Sequence, residues 1–188
     1  MEEFITILKN ETAEIVEKKS KFIANLFHVE SVEEAENRIK DVKKKYHDAR
    51  HNCIAYRVVE NGQIIEKSSD DGEPSGTAGG PMLNILQKNN LCNLVIVVTR
   101  YFGGILLGTG GLVRAYSEAT QQAIEKSTKV IKVIGREMII ELDYSNLEKF
   151  KYYCKNNNIN IKKIDYMGNI ILKIEMEESV KEKIIDDI

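Results

Sequence analysis

The chain has 188 residues, 43% of them hydrophobic, which is enough for one large domain or two small ones with buried cores. Its 27 basic and 29 acidic side chains give a formal net charge of -2, so a polyanion would have to bind at a local patch. The three cysteines, Cys53, Cys92 and Cys154, lie far apart without a C-x-x-C pair, which argues against a disulfide framework and a zinc site.

The N-terminus and the distribution of apolar residues predict a cytoplasmic protein. The chain opens Met1-Glu2-Glu3, without a basic region that leads into a long apolar run, so no signal peptide is predicted. No window approaches the roughly 20 apolar residues of a membrane helix. We therefore expect no membrane partner, and the sequence carries no signal for an oligomeric state.

The first part of the chain predicts three strands and a helix. Residues 4–8 and 13–16 read as short strands, and residues 21–29 alternate as an extended segment. Ser31 is a typical N-cap residue, and the apolar stripe that follows predicts a helix through about Tyr46.

Four lysines lie on the polar face of this helix: Lys40, Lys43, Lys44 and Lys45. Such a run is typical of a solvated helix face near a C-terminus, where the helix dipole favours cations. The alternative is a patch that contacts phosphates.

The middle of the chain predicts a hairpin followed by a helix and a buried strand. Asn61-Gly62 separates two strand-like runs, at 52–59 and 63–66, and is a strong hairpin signal. Residues 77–89 read as a helix whose regular part begins near Pro81. The continuous apolar run at 94–98 predicts a strand that is covered on both faces.

The stretch from Asp70 to Tyr116 contains both prolines and most of the 12 glycines, which indicates shaped loops. Its last glycines, Gly108 to Gly111, lead into a long helix. The N-terminus of a helix favours a phosphate or carboxylate, and Arg114 in the first turn could add a charged hydrogen bond. The competing interpretation is that these glycines only provide tight turns and close packing.

Beyond residue 130 the pattern changes to a β-α-β-β-α order. Strands are expected at 137–144, 159–166 and 170–175, and helices at 147–156 and from 180 to 185. This is the order of a ferredoxin-like domain without its last strand. Either that strand is absent or another element covers the sheet edge.

Five long motifs in the chain resemble the signatures of the IMPACT family in its bacterial, YigZ-type form. They are Ser20-Lys21-Phe22, His51-Asn52-Cys53-Ile54-Ala55, Ser69-Asp70-Asp71-Gly72-Glu73-Pro74-Ser75-Gly76-Thr77-Ala78-Gly79, Val97-Val98-Thr99-Arg100-Tyr101-Phe102-Gly103-Gly104 and Leu112-Val113-Arg114-Ala115-Tyr116. One position departs from the pattern, because many members have a lysine where this chain has Leu106.

The resemblance implies an α+β protein of two domains. Residues 1–132 would form an Impact-type, two-layer domain, similar to the second domain of a small-subunit ribosomal protein and to domain IV of elongation factor G. Residues 133–188 would form the small ferredoxin-like domain, similar to domain V of the same factor. The short C-terminus leaves the last strand of that domain in doubt.

The resemblance also implies a function in translation. Eukaryotic relatives regulate translation under amino-acid starvation by competing for an activator of the kinase that phosphorylates an initiation factor. We therefore expect a regulatory protein that binds RNA, the ribosome or a translation-factor partner through the Asp70–Tyr116 surface, without a cofactor. Catalysis is the less favoured hypothesis.

Under this hypothesis, cations, hydroxyls and glycine amides of the surface contact nucleic acid or phosphate. The candidates are Lys21, Ser75, Arg100, Tyr101, Gly103, Gly104, Gly108, Gly110, Gly111 and Arg114. Tyr101 or Phe102 would offer a stacking face, and strand alternation predicts that only one of the two is exposed.

The alternative hypothesis is a magnesium-dependent, phosphate-handling enzyme. Asp70, Asp71 and Glu73 would hold Mg²⁺ while the arginines and glycine amides bind a phosphate. In a purely structural interpretation, the acids occupy turns and form ion pairs with the arginines.

A further cluster, His47, His51 and Cys53, could form a metal site or a Cys–His nucleophile pair with Asp70 or Asp71. A buried thiol beside a hydrogen-bonded imidazole fits the same spacing. No metal site is predicted from it.

Overall fold

The computed structural model describes residues 3–133, 135–177, 180–181 and 184. The chain divides into two compact units, one of Phe4–Lys132 and one of Val133–Ile188 with Met1–Glu3. In the described ranges, no helix has the length and apolar character needed to cross a bilayer.

The first unit is built on a five-stranded antiparallel sheet with the order β2-β3-β6-β4-β5, and β1 and β7 pair separately. Its elements are β1 (Glu3–Ile7), β2 (Glu11–Glu17), β3 (Ser20–His28), α1 (Val32–Lys45), β4 (His51–Glu60), β5 (Gln63–Ser69), α2 (Gly79–Lys88), β6 (Leu94–Tyr101), α3 (Gly108–Lys126) and β7 (Lys129–Val133). The predicted strands and helices of this part are therefore confirmed. Two helices begin earlier than predicted. α2 begins at Gly79 rather than near Pro81, and α3 begins at Gly108, within the glycines that were expected to precede it.

Helices cover both faces of this sheet. α2 and α3 pack on one apolar face, whereas α1 packs on the other, against Ile54, Tyr56, Val95 and Val97. The unit therefore has a third layer beyond the two that were predicted, because the central strands β4 and β6 are apolar on both sides. The α+β class is confirmed.

The β4–β5 hairpin and the cap of α1 form as the sequence predicts. Asn61 and Gly62 both have positive φ, 52° and 75°, and Glu60 pairs with Gln63, as a two-residue type I′ turn requires. The Ser31 hydroxyl accepts the Glu34 N–H at 3.1 Å and caps the helix.

The second unit contains a three-stranded antiparallel sheet with the order β8-β10-β9, together with the helix α4. Its elements are β8 (Gly135–Leu142), a 3₁₀ turn (Tyr144–Asn146), α4 (Leu147–Asn156), β9 (Asn160–Tyr166) and β10 (Ile170–Glu177). Val180, Lys181 and Ile184 are helical; the remainder of the helix predicted at 180–185 lies outside the described residues. The described β-α-β-β order is that of a ferredoxin-like domain.

Candidate interaction site at the end of the sheet

A buried ion pair joins three elements of the predicted Asp70–Tyr116 surface. The Glu73 carboxylate accepts hydrogen bonds from Arg100 Nη1 at 2.7 Å and from the Tyr116 hydroxyl at 2.9 Å. The side chains of Glu73 and Arg100 are only 3% and 8% exposed. The loop after β5, the end of β6 and the third turn of α3 are thereby fixed to one another.

Arg100 is packed inside the protein rather than presented to solvent. Its guanidinium carbon lies 5.5 Å from the centre of the Phe22 ring and 5.6 Å from that of Phe102, and Nη2 donates to Ser20 Oγ at 3.4 Å. The structure therefore pairs Arg100 with an acid, as the structural interpretation of the arginines expected, and leaves it no exposed face for a phosphate.

Asp70 organises the acidic loop through the backbone. One carboxylate oxygen accepts the N–H groups of Ala78 and Gly79 at 2.9 and 2.8 Å, and the other accepts that of Gly76 at 2.8 Å. Partial burial acts to raise the pKa of Asp70, but these three hydrogen bonds stabilise the carboxylate and hold the pKa below its ordinary value of 3.8.

Replacing Asp70 with alanine is expected to lower the free energy of unfolding by about 2 kcal/mol at pH 7, because several hydrogen bonds to a charged group are lost. A carboxylate with a lowered pKa stabilises the fold above pH 3.8 and loses that effect as the pH falls through its folded-state pKa. The difference in unfolding free energy between wild type and Asp70→Ala should therefore shrink as the pH falls below 3.8. Urea unfolding across pH 3 to 7 tests this, with the exposed Asp41→Ala as control, and a pH-independent difference would contradict it.

The other carboxylate of the loop, Asp71, also bonds within the protein. It accepts Lys43 Nζ at 2.7 Å and the Asn52 N–H at 2.7 Å. In the described part of the chain, no group of three or more His, Cys, Asp and Glu side chains is placed to hold a metal ion. All three acids of the magnesium hypothesis, Asp70, Asp71 and Glu73, thus accept hydrogen bonds within the protein, and the hypothesis itself stays a prediction.

Cys53 and His51 are used in the same internal network. The Cys53 thiol donates to the Asp70 carbonyl at 3.0 Å, and burial raises its pKa to about 12. His51 Nδ1 bonds the Asp71 carbonyl at 2.9 Å, and Nε2 lies 4.0 Å from Glu73. A thiol that stays protonated is a weak nucleophile. The structure therefore agrees with the interpretation of Cys53 as a buried thiol beside a hydrogen-bonded imidazole.

The loop between β6 and α3, which we call the apolar loop (residues 102–106), is the exposed part of the site. Phe102, Ile105 and Leu106 are 50%, 42% and 82% exposed. Tyr101 is partly buried, and its hydroxyl donates to Asp48 at 2.7 Å. Phe102 is thus the aromatic residue that strand alternation leaves exposed.

Gly103 anchors this loop to the β2–β3 turn. Its N–H donates to Ser20 Oγ at 3.2 Å, and a Cβ at this position would overlap backbone atoms of Lys19 and Ser20. Gly104 has a φ of 84°, which side-chain-bearing residues rarely adopt. The exposed side chains are therefore held on a backbone of defined shape.

The remaining predicted residues lie around this loop. Lys21 is opposite Tyr101 in the sheet and forms an ion pair with Glu14 at 2.9 Å. Gly108, Gly110 and Arg114 are exposed at the start of α3, Gly111 is buried there, and Ser75 is exposed in the acidic loop. No side chain among the described residues caps α3, so a phosphate at its N-terminus stays a prediction.

Sequence reasoning missed two structural roles. Ser20 bonds both Arg100 and Gly103, and Tyr116 bonds Glu73. Both residues lie within the recognised motifs, but their partners are 43 to 83 positions away in the chain. Spacing along the sequence therefore carries no signal for either role.

Two family models match the chain. The Impact N-terminal domain matches residues 18–124, and a domain of unknown function, DUF1949, matches residues 140–188. The chain belongs to the IMPACT family. The family predicted from the five motifs is thereby confirmed.

Bacterial IMPACT-family proteins match this chain over most of its length. It is 41% identical to the IMPACT family member YvyE of Bacillus subtilis, over 93% of this chain and 80% of that protein. It is 38% identical to YigZ of Escherichia coli, over 85% of this chain and 78% of that protein. A crystal structure of a hypothetical protein is similar with a TM-score of 0.72 and 34% identity, covering 97% of this chain and 89% of that one.

Proposed function

We propose that this protein is a translation-associated regulator that binds a protein of the translation apparatus through the apolar loop. Membership of the IMPACT family supports the translation-related part, because the resemblance implies that eukaryotic members compete for a protein activator of a kinase that acts on an initiation factor. The exposed Phe102, Ile105 and Leu106 on an anchored loop are the observation that carries the choice of surface.

A fixed apolar loop suits a protein partner for an energetic reason. Exposed aromatic and aliphatic side chains release water when a partner covers them, and such residues form the central anchors of interfaces. Because Gly103 packs on the Lys19–Ser20 backbone, little conformational freedom would be lost on binding.

The same loop is less suited to nucleic acid. Arg100 is committed to Glu73 and Lys21 to Glu14, which leaves few free cations among the predicted phosphate contacts. Leucine and isoleucine side chains neither stack on bases nor bind phosphates. The test must therefore distinguish binding of a protein at this loop from binding of RNA.

Changing Leu106 to aspartate is expected to reduce partner recovery at least tenfold, because a charge would be buried at the centre of an apolar interface. The full-length tagged protein is purified from its own cells at moderate salt after nuclease treatment, and its partners are identified by mass spectrometry. Ile131→Asp, which changes another exposed apolar residue of the first unit, is the matched control.

The proposal requires a protein of the translation apparatus that survives nuclease and is lost with Leu106→Asp but kept with Ile131→Asp. Recovery that vanishes with nuclease and ignores Leu106→Asp would contradict it and favour RNA.

A further inference from the structure

The end of α1 and the turn that leads into β4 carry an excess of positive charge. Residues 38–50 contain six basic and two acidic side chains, in a protein whose net charge is -2: Arg38, Lys40, Lys43, Lys44, Lys45 and Arg50 against Asp41 and Asp48. We propose that Lys44, Lys45 and Arg50, which we call the basic turn, bind the phosphate backbone of single-stranded RNA. These three cations lie outside the Asp70–Tyr116 stretch, and the proposal does not depend on the apolar loop.

The cations of the basic turn are not neutralised within the protein. Some lysines elsewhere bond a carboxylate, as Lys67 does with Glu36, whereas others such as Lys88 have none within 4.0 Å among the described residues; the basic turn differs in that three such cations lie close together in the chain. Lys44, Lys45 and Arg50 have no carboxylate within 4.0 Å among the residues described, although all three are exposed. Their charge is therefore available to an anion from outside.

Two of the neighbouring charged groups already have partners within the protein. Lys43 pairs with Asp71 at 2.7 Å, and Asp48 accepts the hydroxyl of Tyr101 at 2.7 Å. The Asp48 carboxylate is thus bonded to the end of β6, and it forms no ion pair with the basic turn among the described residues.

The helix dipole explains only part of this arrangement. Cations in the last turn of a helix are stabilised by its unpaired carbonyl groups, which accounts for Lys44 and Lys45. Arg50 lies five residues beyond the end of α1 and gains nothing from that dipole. Its charge is exposed and has no carboxylate within 4.0 Å among the described residues.

Hydrogen bonds fix the backbone of the turn that carries these cations. The Tyr46 N–H donates to the Val42 carbonyl at 2.9 Å and the Ala49 N–H to the Tyr46 carbonyl at 3.0 Å, so a compact turn follows the helix. His51 pairs with Arg100 in the antiparallel sheet, which places Arg50 beside Tyr101. The turn therefore lies at the same end of the sheet as Tyr101.

The chemistry of this surface fits a single-stranded polyanion better than a lone phosphate. The cations are exposed on an open turn, so a single ion would find no enclosed site, whereas successive phosphates can contact several cations at once. Tyr101 is a partly exposed aromatic residue beside these cations, whereas the Tyr46 ring packs against the core under α1 and has Lys45 Nζ 4.8 Å from its centre. An aromatic face beside a basic track is the combination that binds single-stranded nucleic acid.

The test is fluorescence anisotropy with labelled oligouridylate of about 30 nucleotides, at several salt concentrations and with full-length protein. Wild type is compared with Lys44→Ala/Lys45→Ala/Arg50→Ala. The control is Lys88→Ala/Lys149→Ala/Lys155→Ala, which removes the same charge from exposed positions elsewhere. Loss of three phosphate contacts should weaken binding about tenfold or more and reduce the slope of log affinity against log salt by about 2.

Each outcome is decisive. A selective loss in the basic-turn variant supports the proposal, whereas equal behaviour of the two triple variants, or no binding by wild type, overturns it. Competition by inorganic phosphate at millimolar concentration would point to a single-anion site, and equal affinity for a polyglutamate peptide to an acidic protein partner; both also overturn it. Leu106→Asp should leave the RNA affinity unchanged. Failure of the protein-binding proposal can therefore be told apart from failure of this one.

Discussion

Replacing Arg100 with alanine is expected to lower the free energy of unfolding of the first unit by about 3–5 kcal/mol. The substitution leaves the Glu73 carboxylate buried with the Tyr116 hydroxyl as its one close donor among the described residues, and it removes a guanidinium that packs on Phe22 and Phe102. A buried charge without its partner cannot recover the solvation that it lost on folding. The loss should therefore exceed that of an ordinary surface substitution several-fold.

Urea unfolding of the variant, combined with hydrogen exchange of the β6 amides, measures this loss in the first unit itself. Arg114→Ala, which removes an exposed arginine from α3, serves as the control and should change the unfolding free energy by less than about 0.5 kcal/mol. A second variant, Arg100→Met with Glu73→Leu, removes both charges and should recover much of the stability. A change below about 1 kcal/mol in Arg100→Ala would show that the pair is not the internal support that we describe.

Replacing Gly103 with alanine is expected to destabilise the first unit by about 1–3 kcal/mol and to abolish partner binding through the apolar loop. An added Cβ would overlap the backbone of Lys19 and Ser20, which cannot move as a flexible side chain can. The loop must then separate from the β2–β3 turn and lose the hydrogen bond from Gly103 to Ser20. The exposed side chains of Phe102, Ile105 and Leu106 would no longer be held in place.

Gly80→Ala is the matched control for this experiment. Gly80 lies in α2 with no atom within 4 Å of an added Cβ, so alanine should be neutral or stabilising there. Thermal unfolding gives the effect on stability, and nuclease-treated recovery of the partner gives the effect on binding. Full partner binding by Gly103→Ala would contradict the role of the anchored loop.

Much of the fold could be predicted because it follows from local patterns. The β4–β5 hairpin depends on Asn61-Gly62 and the start of α1 on Ser31, and both signals lie within a few residues of what they specify. The apolar run of β6 predicted a strand covered on both faces, and residues 94–98 are all buried. The third layer was missed because periodicity in α1 does not reveal which face of the sheet the helix covers.

The candidate site was proposed from the sequence, but the internal contacts of its residues could not be predicted in this way. Glycine-rich motifs, acids and arginines pointed to this stretch, and in the structure the loops after β5 and β6 meet there through Glu73 and Arg100; binding at this surface stays a prediction. The same residue types serve a ligand site and an internal ion-pair network, and spacing does not distinguish them. Arg100 was therefore predicted as a phosphate contact, whereas the fold gives it Glu73 as its partner.

The sequence by itself determined the family and most of the strands and helices, because propensity, capping and motif spacing act over short distances. Only the tertiary structure decided which polar groups are used internally. Glu73 meets Arg100 across 27 positions and Tyr116 across 43, and such pairs form when the sheet and α3 pack. Packing thereby left Phe102, Ile105 and Leu106 exposed, and kept Lys44, Lys45 and Arg50 free of carboxylate partners among the described residues.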